Sequence, residues 1–175
     1  MLIKGLVVIL ILGTVFSLNT TNELCLQSLY KLQDNFGYAI RSEGASCSDF
    51  ASIFTPNGTM FSPAWEEWQG ADALTQSCQQ FTLPEEFRNL CTQDFGFVYV
   101  TSQAAVHDNK MWCTGTGVFT ISITNSTGST CLIMSQETDT IIMDLDTMLF
   151  EYVNTIYATA DFYLDYLKCG ETQCQ

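Results

Sequence analysis

The segment 49–70, DFASIFTPNGTMFSPAWEEWQG, constrains the fold more than any other part of this 175-residue chain. Its start, DFASIF, predicts a short apolar helix, and the TPNG that follows predicts a turn, because Pro, Asn and Gly supply the backbone angles that turns require. A brief strand at TMF and a loop up to Gly70 come next, and GADAL then begins another helix. This order predicts an α+β chain in which short helices and strands share one core.

The first residues predict a secretory leader. Lys4 precedes an apolar run from Leu6 to Leu12, and Ser17 offers a cleavage site. Because the run is much shorter than the ~20 residues of a membrane-spanning helix, a signal peptide is favoured over an anchor. We expect a signal peptide at 1–17, a single domain at 18–175, passage through the endoplasmic reticulum to the outside of the cell, and no membrane contact after cleavage.

The charge balance excludes one class of partner. Nineteen acidic residues stand against six basic ones, so the formal net charge is −13. Such a surface repels phosphate backbones, and the sequence contains no basic patch to offset the repulsion. We therefore expect no nucleic-acid partner, and we interpret the acidity as a source of solubility outside the cell.

Eight cysteines, an even number in a chain expected to be secreted, predict up to four disulfides. Their connectivity stays open at this point, because so many pairings of eight cysteines exist. Zinc is the competing interpretation, but the sequence has no CxxC motif and its one histidine is His107. We expect no metal and no cofactor. The predicted disulfide cysteines are Cys25, Cys47, Cys78, Cys91, Cys113, Cys131, Cys169 and Cys174.

Three N-x-S/T sequons fit the secretory route and predict glycosylation at Asn19, Asn57 and Asn125. Asn57 and Asn125 lie in predicted turns, where a glycan has room. The sequence therefore predicts a glycoprotein.

Apolar periodicity divides the chain into helices first and strands afterwards. Residues 23–40 and 71–81 have the spacing of amphipathic helices. The tail, 158–175, either extends the last strand or forms a short helix, and the sequence leaves both open. Antiparallel strands, joined by tight turns, are predicted at 95–107, 111–124, 131–143 and 148–157.

This order of elements, together with DFASIFTPNGTMFSP and WQGADAL, resembles the SnoaL-like branch of the nuclear transport factor 2-like superfamily. The resemblance implies a cone-like α+β fold in which three N-terminal helices and a curved, mostly antiparallel sheet enclose a pocket. The family includes isomerases, cyclases, dehydratases, hydrolases and non-catalytic binders. Because one fold hosts many functions, the resemblance predicts the architecture and leaves the activity open.

Ketosteroid isomerase is the family member whose chemistry can be compared position by position. The resemblance places its hydrogen-bonding tyrosine at Tyr38 and its acid at Asp139, a pair that would stabilise an enolate. Its proton-shuttling aspartate corresponds to Ser62, before Pro63, and a serine without a partner is no base near neutral pH. The structural alternatives are a Tyr38 ring packed between helix and sheet, Asp139 at an exposed strand edge, and Ser62 in a turn.

Aromatic residues are plentiful, and in a cone-shaped sheet the inward ones face the enclosed space. We expect Trp65, Trp68 and Trp112 to line a pocket for an apolar ligand. His107 is the natural titrating residue, but it precedes the Asp108-Asn109 turn, which predicts an exposed hairpin tip.

The leading hypothesis is a secreted, disulfide-bonded glycoprotein that binds a small apolar ligand in its cone pocket without catalysis. One alternative is an isomerase, cyclase or dehydratase that acts on a hydrophobic substrate through Tyr38 and Asp139. The other is a non-catalytic interaction module that forms a homodimer through its sheet.

Overall fold

The computed structural model describes residues 2–41, 46–61, 67–83, 85–157 and 162–174, with the side chains of 2–19, 85–86, 157 and 162–163 not included. In the described part of the chain the three predicted helices and a further short one precede the last four strands, and a fifth helix follows them. The helices are α1 (Leu2–Arg41), α2 (Cys47–Ser52), α3 (Ala71–Gln79), α4 (Glu85–Arg88) and α5 (Phe162–Gln173).

Six strands form one curved, unclosed sheet in the described part of the chain, in the order β2-β1-β6-β5-β4-β3. The last four strands are an antiparallel meander, as predicted, whereas β1 and β6 pair in parallel and make the sheet mixed. The strands are β1 (Phe54–Phe61), β2 (Trp68–Gln69), β3 (Cys91–His107), β4 (Lys110–Asn125), β5 (Thr130–Asp144) and β6 (Phe150–Tyr157).

The segment 49–70 forms the junction between helices and sheet. Ser46 and Asp49 cap α2 reciprocally, and the chain then enters β1 directly. The predicted turn at TPNG is an irregularity inside β1, where the register with β6 shifts between Phe54 and Thr59. Gly58 is required there, because a Cβ atom would lie 2.9 Å from the Phe150 carbonyl oxygen.

Tight turns connect the strands of the meander, as the sequence predicts. Asp108 and Asn109 have φ angles of 49° and 60°, which is the type I′ geometry that suits the twist of a hairpin. The imidazole of His107 is 80% exposed beside this turn, as expected. At the next turn, Asn125 Oδ1 accepts a hydrogen bond from the Ser129 amide at 2.9 Å.

All eight cysteines are paired, so the prediction of four disulfides is confirmed. The structure also gives the connectivity that the sequence left open. Each bond joins elements distant in sequence, which restricts the unfolded chain and stabilises the fold. The pairs are Cys25–Cys113 (α1 to β4), Cys47–Cys78 (α2 to α3), Cys91–Cys174 (β3 to the end of α5) and Cys131–Cys169 (β5 to α5).

Residues 162–173 of the C-terminal tail form helix α5, which decides between the two alternatives. Its two disulfides hold α5 against β3 and β5, and the Tyr166 hydroxyl donates a 2.7 Å hydrogen bond to the Phe81 carbonyl. No helix in the part of the chain that the structure describes is long and apolar enough to cross a membrane.

The sheet has an inner face toward α1 and an outer face toward solvent. On β4, Phe119, Ile121 and Ile123 are buried, and the residues between them are more exposed. This alternation follows from the two-residue period of a strand, and the sequence predicts it.

Candidate functional site

A cluster of polar side chains interrupts the apolar inner face of the sheet. Its members have between 0% and 8% of their surface exposed, so they depend on one another for hydrogen bonds. They come from α1, β3, β5 and β6. We call this group the polar cluster, and it consists of Gln33, Tyr99, Glu137, Asp139 and Thr155.

The strand register brings the cluster together. Glu137 and Asp139 are two residues apart on β5 and therefore point to the same face; we call them the acid pair. Thr155 of β6 is the register partner of Asp139, which places its hydroxyl beside the carboxylate. Tyr99 lies two strands away from the acid pair, on β3.

Gly115 allows Tyr99 to cross the intervening strand. It is the β4 register partner of Asp139. A Cβ atom at Gly115 would lie 2.9 Å from Tyr99 Cδ1 and 2.5 Å from Leu29 Cδ1. The missing side chain therefore leaves the path along which the tyrosine ring reaches the acid pair.

Asp139 accepts hydrogen bonds from three side chains. Thr155 Oγ1 donates to Oδ1 at 2.7 Å, Gln33 Nε2 donates to Oδ2 at 2.8 Å, and the Tyr99 hydroxyl also donates to Oδ2. Gln33 Nε2 makes a second 2.8 Å hydrogen bond to Glu137 Oε1. The cluster is thus one connected network centred on the acid pair.

No cation balances the acid pair among the side chains that the structure describes. Arg41 pairs with Asp94, and Lys110 pairs with Glu151. The other described basic side chains also lie elsewhere. Lys31 donates to the Met148 carbonyl, Arg88 donates to the Leu83 carbonyl, and His107 lies beside Asp108. Lys168 is exposed on α5. Two buried like charges without a counter-ion are very costly, so the pair requires a proton.

The two carboxyl groups share this proton, and the surroundings of Glu137 favour its neutral form. Burial raises the pKa of Glu137 well above its ordinary value of 4.5, and the charge of Asp139 and a hydrogen bond to Asp139 raise it further, against a smaller opposing contribution from Gln33. Burial and the neighbouring Asp139 also raise the pKa of Tyr99. The fold therefore favours the neutral forms of the Glu137 carboxyl group and of the Tyr99 phenol beside Asp139.

Aromatic rings frame the cluster on its β3 side. The Tyr30 ring meets the Tyr99 ring edge-on, with centroids 5.3 Å apart, and the Phe97 ring centroid lies 4.3 Å from that of Tyr99. The Tyr30 hydroxyl also accepts a 3.3 Å hydrogen bond from the Tyr99 amide. The site therefore combines apolar aromatic surface with a single group of polar side chains around the acid pair.

The structure keeps Asp139 in the candidate site but does not bring Tyr38 to it. Asp139 is fully buried and so does not occupy an exposed strand edge. Tyr38 is 49% exposed, and its ring lies 5.0 Å from the Arg41 guanidinium. Its neighbours Ala39 and Ile40 take the buried side of α1, which turns Tyr38 outward. Tyr99 is the tyrosine that contacts Asp139.

A sequence signal for the cluster does exist. The buried positions of β5 alternate as Ile133, Ser135, Glu137, Asp139 and Ile141, so two acids occupy an inward register that isoleucines flank on both sides. The contribution of Tyr99 has no such signal, because it depends on Gly115 and on the strand order. Sequence reasoning therefore missed Tyr99, Gln33 and Thr155.

The predicted pocket tryptophans have different locations. Trp68, on β2, is half-buried and packs against the core. Trp112 is 49% exposed on the outer face, because its neighbours Met111 and Cys113 take the inner one, so it does not line the inner surface as expected. Trp65, with Ser62 and Pro63, lies outside the described residues.

The predicted glycosylation sites also have different surroundings. Asn57 is exposed on β1, and Asn125 is partly buried at the β4–β5 turn, where its side chain accepts hydrogen bonds from Thr127 and Ser129. The side chain of Asn19 is not among those described.

No protein-family profile matches this sequence, and no curated protein matches it. Solved structures do match its fold. Aln2 from a Streptomyces species superposes with a TM-score of 0.54 at 10% identity, over 75% of this chain and 89% of its own. ActVI-ORFA from Streptomyces coelicolor gives 0.53 at 9% identity, over 76% and 96%.

A protein from Catenulispora acidiphila in complex with S-DNPA gives a TM-score of 0.52 at 13% identity, over 75% of this chain and 92% of its own. Identities this low establish a common fold and nothing further. The chain therefore shares the α+β fold of these proteins, and its curved sheet with helices packed against it agrees with the fold class that the sequence predicts.

Proposed function

We propose that this protein is a secreted, disulfide-bonded glycoprotein whose inner sheet face binds a small, mainly apolar molecule without catalysis. The observation that carries the proposal is the acid pair, Glu137 and Asp139, which is buried beside aromatic rings with no counter-ion among the described side chains. A core that serves only stability gains little from two buried carboxyl groups, because apolar residues of the same size fill such a space at lower cost.

The chemistry of the cluster defines what the ligand needs. Tyr30 and Phe97 offer apolar contact, whereas the acid pair, with its one shared proton, offers both a donor and an acceptor. A molecule with an apolar body and one carbonyl or hydroxyl group fits both parts. The S-DNPA complex of the Catenulispora acidiphila protein supports the proposal, since a cone fold of this type is compatible with a bound small molecule.

Native mass spectrometry of the protein purified from its own source tests binding directly. We expect a co-purifying small molecule that is lost on denaturation with the disulfides intact. Glu137→Gln should reduce its occupancy, and Glu151→Gln, the same change at a surface ion pair, should not. A ligand-free protein that also fails to bind neutral apolar probes would contradict the proposal.

A second candidate function is an isomerase, cyclase or dehydratase, and the juxtaposition of Tyr99, Glu137 and Asp139 favours it. A protonated acid and a carboxylate in one cluster are the two partners that proton transfer requires. Here Tyr99, and not Tyr38, would act with Asp139. Incubation of the co-purified ligand with the protein in deuterated water separates the two functions, because catalysis introduces deuterium at carbon and binding does not.

The secretory part of the proposal rests on the leader at 1–17 and on the disulfides. Cross-links of this number are typical of chains that fold in an oxidising compartment. Expression in secreting cells should yield a single domain that begins at Leu18 and carries glycans at Asn19, Asn57 and Asn125. Intact mass before and after enzymatic removal of N-glycans measures both features.

A homodimer formed through the outer face is the third candidate. That face exposes Val98, Val100, Leu132 and Met134, each by more than half of its surface. Sedimentation of the wild-type protein and of Met134→Lys tests it: a dimer that dissociates in the variant supports the interaction module, and a monomer in both rejects it.

A further inference from the structure

Gln33 connects α1 to the acid pair through a single amide group. Its Nε2 atom carries two hydrogens and lies 2.8 Å from Glu137 Oε1 and 2.8 Å from Asp139 Oδ2. Both hydrogens are therefore donated to carboxyl groups of β5. The contact lies deep in the core, since Gln33 is only 6% exposed.

The described side chains around Glu137 provide no positive charge. A proton shared with Asp139 is therefore what relieves the repulsion between the two carboxyl groups. Its register partners, Gly117 on β4 and Tyr157 on β6, bring no positive charge to it. No lysine, arginine or histidine among the described side chains faces it. The polar groups that act on it are Gln33 from α1, Tyr99 from β3 and Asp139 from its own strand, and Thr155 from β6 contacts Asp139.

We propose that the acid pair is a proton-dependent latch between α1 and the sheet. While one proton is present, the two carboxyl groups share it and both accept from Gln33. When both are ionised, their repulsion opens this contact and loosens α1 around Gln33. The Cys25–Cys113 bond and the Arg41–Asp94 pair continue to hold the helix on either side.

The effect has a defined sign. In the unfolded chain Glu137 ionises near 4.5, whereas in the fold burial and Asp139 raise its pKa well above that value. Between the two values the folded state retains a proton that the unfolded state has released. The stability that the latch contributes is therefore fully present below the pKa of the unfolded state and is lost as pH rises toward the pKa of the folded state. Between the two values the equilibrium constant for unfolding rises about tenfold per pH unit.

The latch regulates the same surface for which ligand binding is proposed. Its influence on affinity rests on that proposed function, because an ionised Glu137 can no longer donate to a ligand. The latch itself needs no ligand. Its test is therefore made on the ligand-free protein, so that failure of the latch and failure of binding are separate results.

Hydrogen exchange of the full chain, with its disulfides intact and rates corrected for intrinsic exchange, tests the latch between about pH 5 and about pH 8. In the wild type, protection of the α1 amides around Gln33 should fall at least about tenfold over this range. In Glu137→Gln, which keeps the hydrogen bonds and removes the charge, this fall should disappear. Glu151→Gln is the matched control and should behave as the wild type does.

Asp139→Asn provides a second variant. It removes the repulsion but leaves Glu137 buried, and burial is the largest cause of its raised pKa, so the fall in protection should become smaller than in the wild type without disappearing. Equal wild-type protection at both ends of the range would overturn the proposal. So would a pH dependence that survives in Glu137→Gln, or one that is as large in Asp139→Asn as in the wild type.

Discussion

The two faces of β5 carry polar residues with opposite consequences. On the inner face, Glu137 and Asp139 are almost fully buried and depend on three other elements for hydrogen bonds. On the outer face, Thr138 and Thr140 pair with threonines of β4 across 3.0 and 3.2 Å, close to solvent. Adjacent residues of one strand therefore differ in the free-energy penalty for losing a hydrogen bond. A polar group on the inner face depends on protein partners, whereas one on the outer face can bond to water instead.

The largest expected effect comes from Asp139→Ala. It leaves the donors of Gln33, Tyr99 and Thr155 buried without their acceptor, so we expect a loss of about 3–5 kcal/mol in the free energy of unfolding. Urea denaturation with the disulfides intact measures it. Thr140→Ala, the next residue on the outer face, is the matched control; equal losses in the two variants would refute the distinction between the faces.

Gly115→Ala should have the next largest effect. The added methyl group meets Leu29 at 2.5 Å and the Tyr99 ring at 2.9 Å, and such overpacking costs about 1–3 kcal/mol. The displaced ring would also lose its contact with Asp139. Near-ultraviolet circular dichroism together with denaturation reports both changes, and an unchanged aromatic signal would contradict the role assigned to Gly115.

Tyr99→Phe should cost less, about 1–1.5 kcal/mol, because it removes one hydroxyl while Asp139 keeps its bonds from Gln33 and Thr155. Thermal or urea denaturation measures the loss. Tyr38→Phe serves as the control on α1, where the side chain is half-exposed. If Tyr38→Phe lowered the free energy of unfolding more than Tyr99→Phe does, the assignment of Tyr99 rather than Tyr38 to the cluster would be contradicted.

The smallest expected effect is that of Thr138→Val on the outer face. Its hydrogen bond to Thr116 is replaceable by water and valine suits a strand, so stability should stay within about 0.5 kcal/mol of the wild type. Denaturation curves recorded in parallel with Asp139→Ala give the comparison. A loss of several kcal/mol would mean that the outer face is covered, as it would be in a dimer.

Much of the fold was predictable because its signals are local. The 49–70 segment indicated the α+β order, the alternation of β4 indicated its buried face, and Asp108-Asn109 indicated a tight hairpin. The candidate site was predictable only in part. Asp139 was found through the family resemblance, but Tyr38 was chosen with it because sequence distance carries no information on which tyrosine crosses the sheet.

The sequence by itself determined the succession of elements, the faces of the strands and the oxidation of all eight cysteines, because two-residue periodicity, turn chemistry and an even cysteine count act over short distances or on composition. The tertiary structure alone decided the disulfide connectivity, the helical tail and the assembly of Gln33, Tyr99 and Thr155 around the acid pair. These features depend on strand order and on a space left open at Gly115, and such long-range geometry exists only once the sheet has formed.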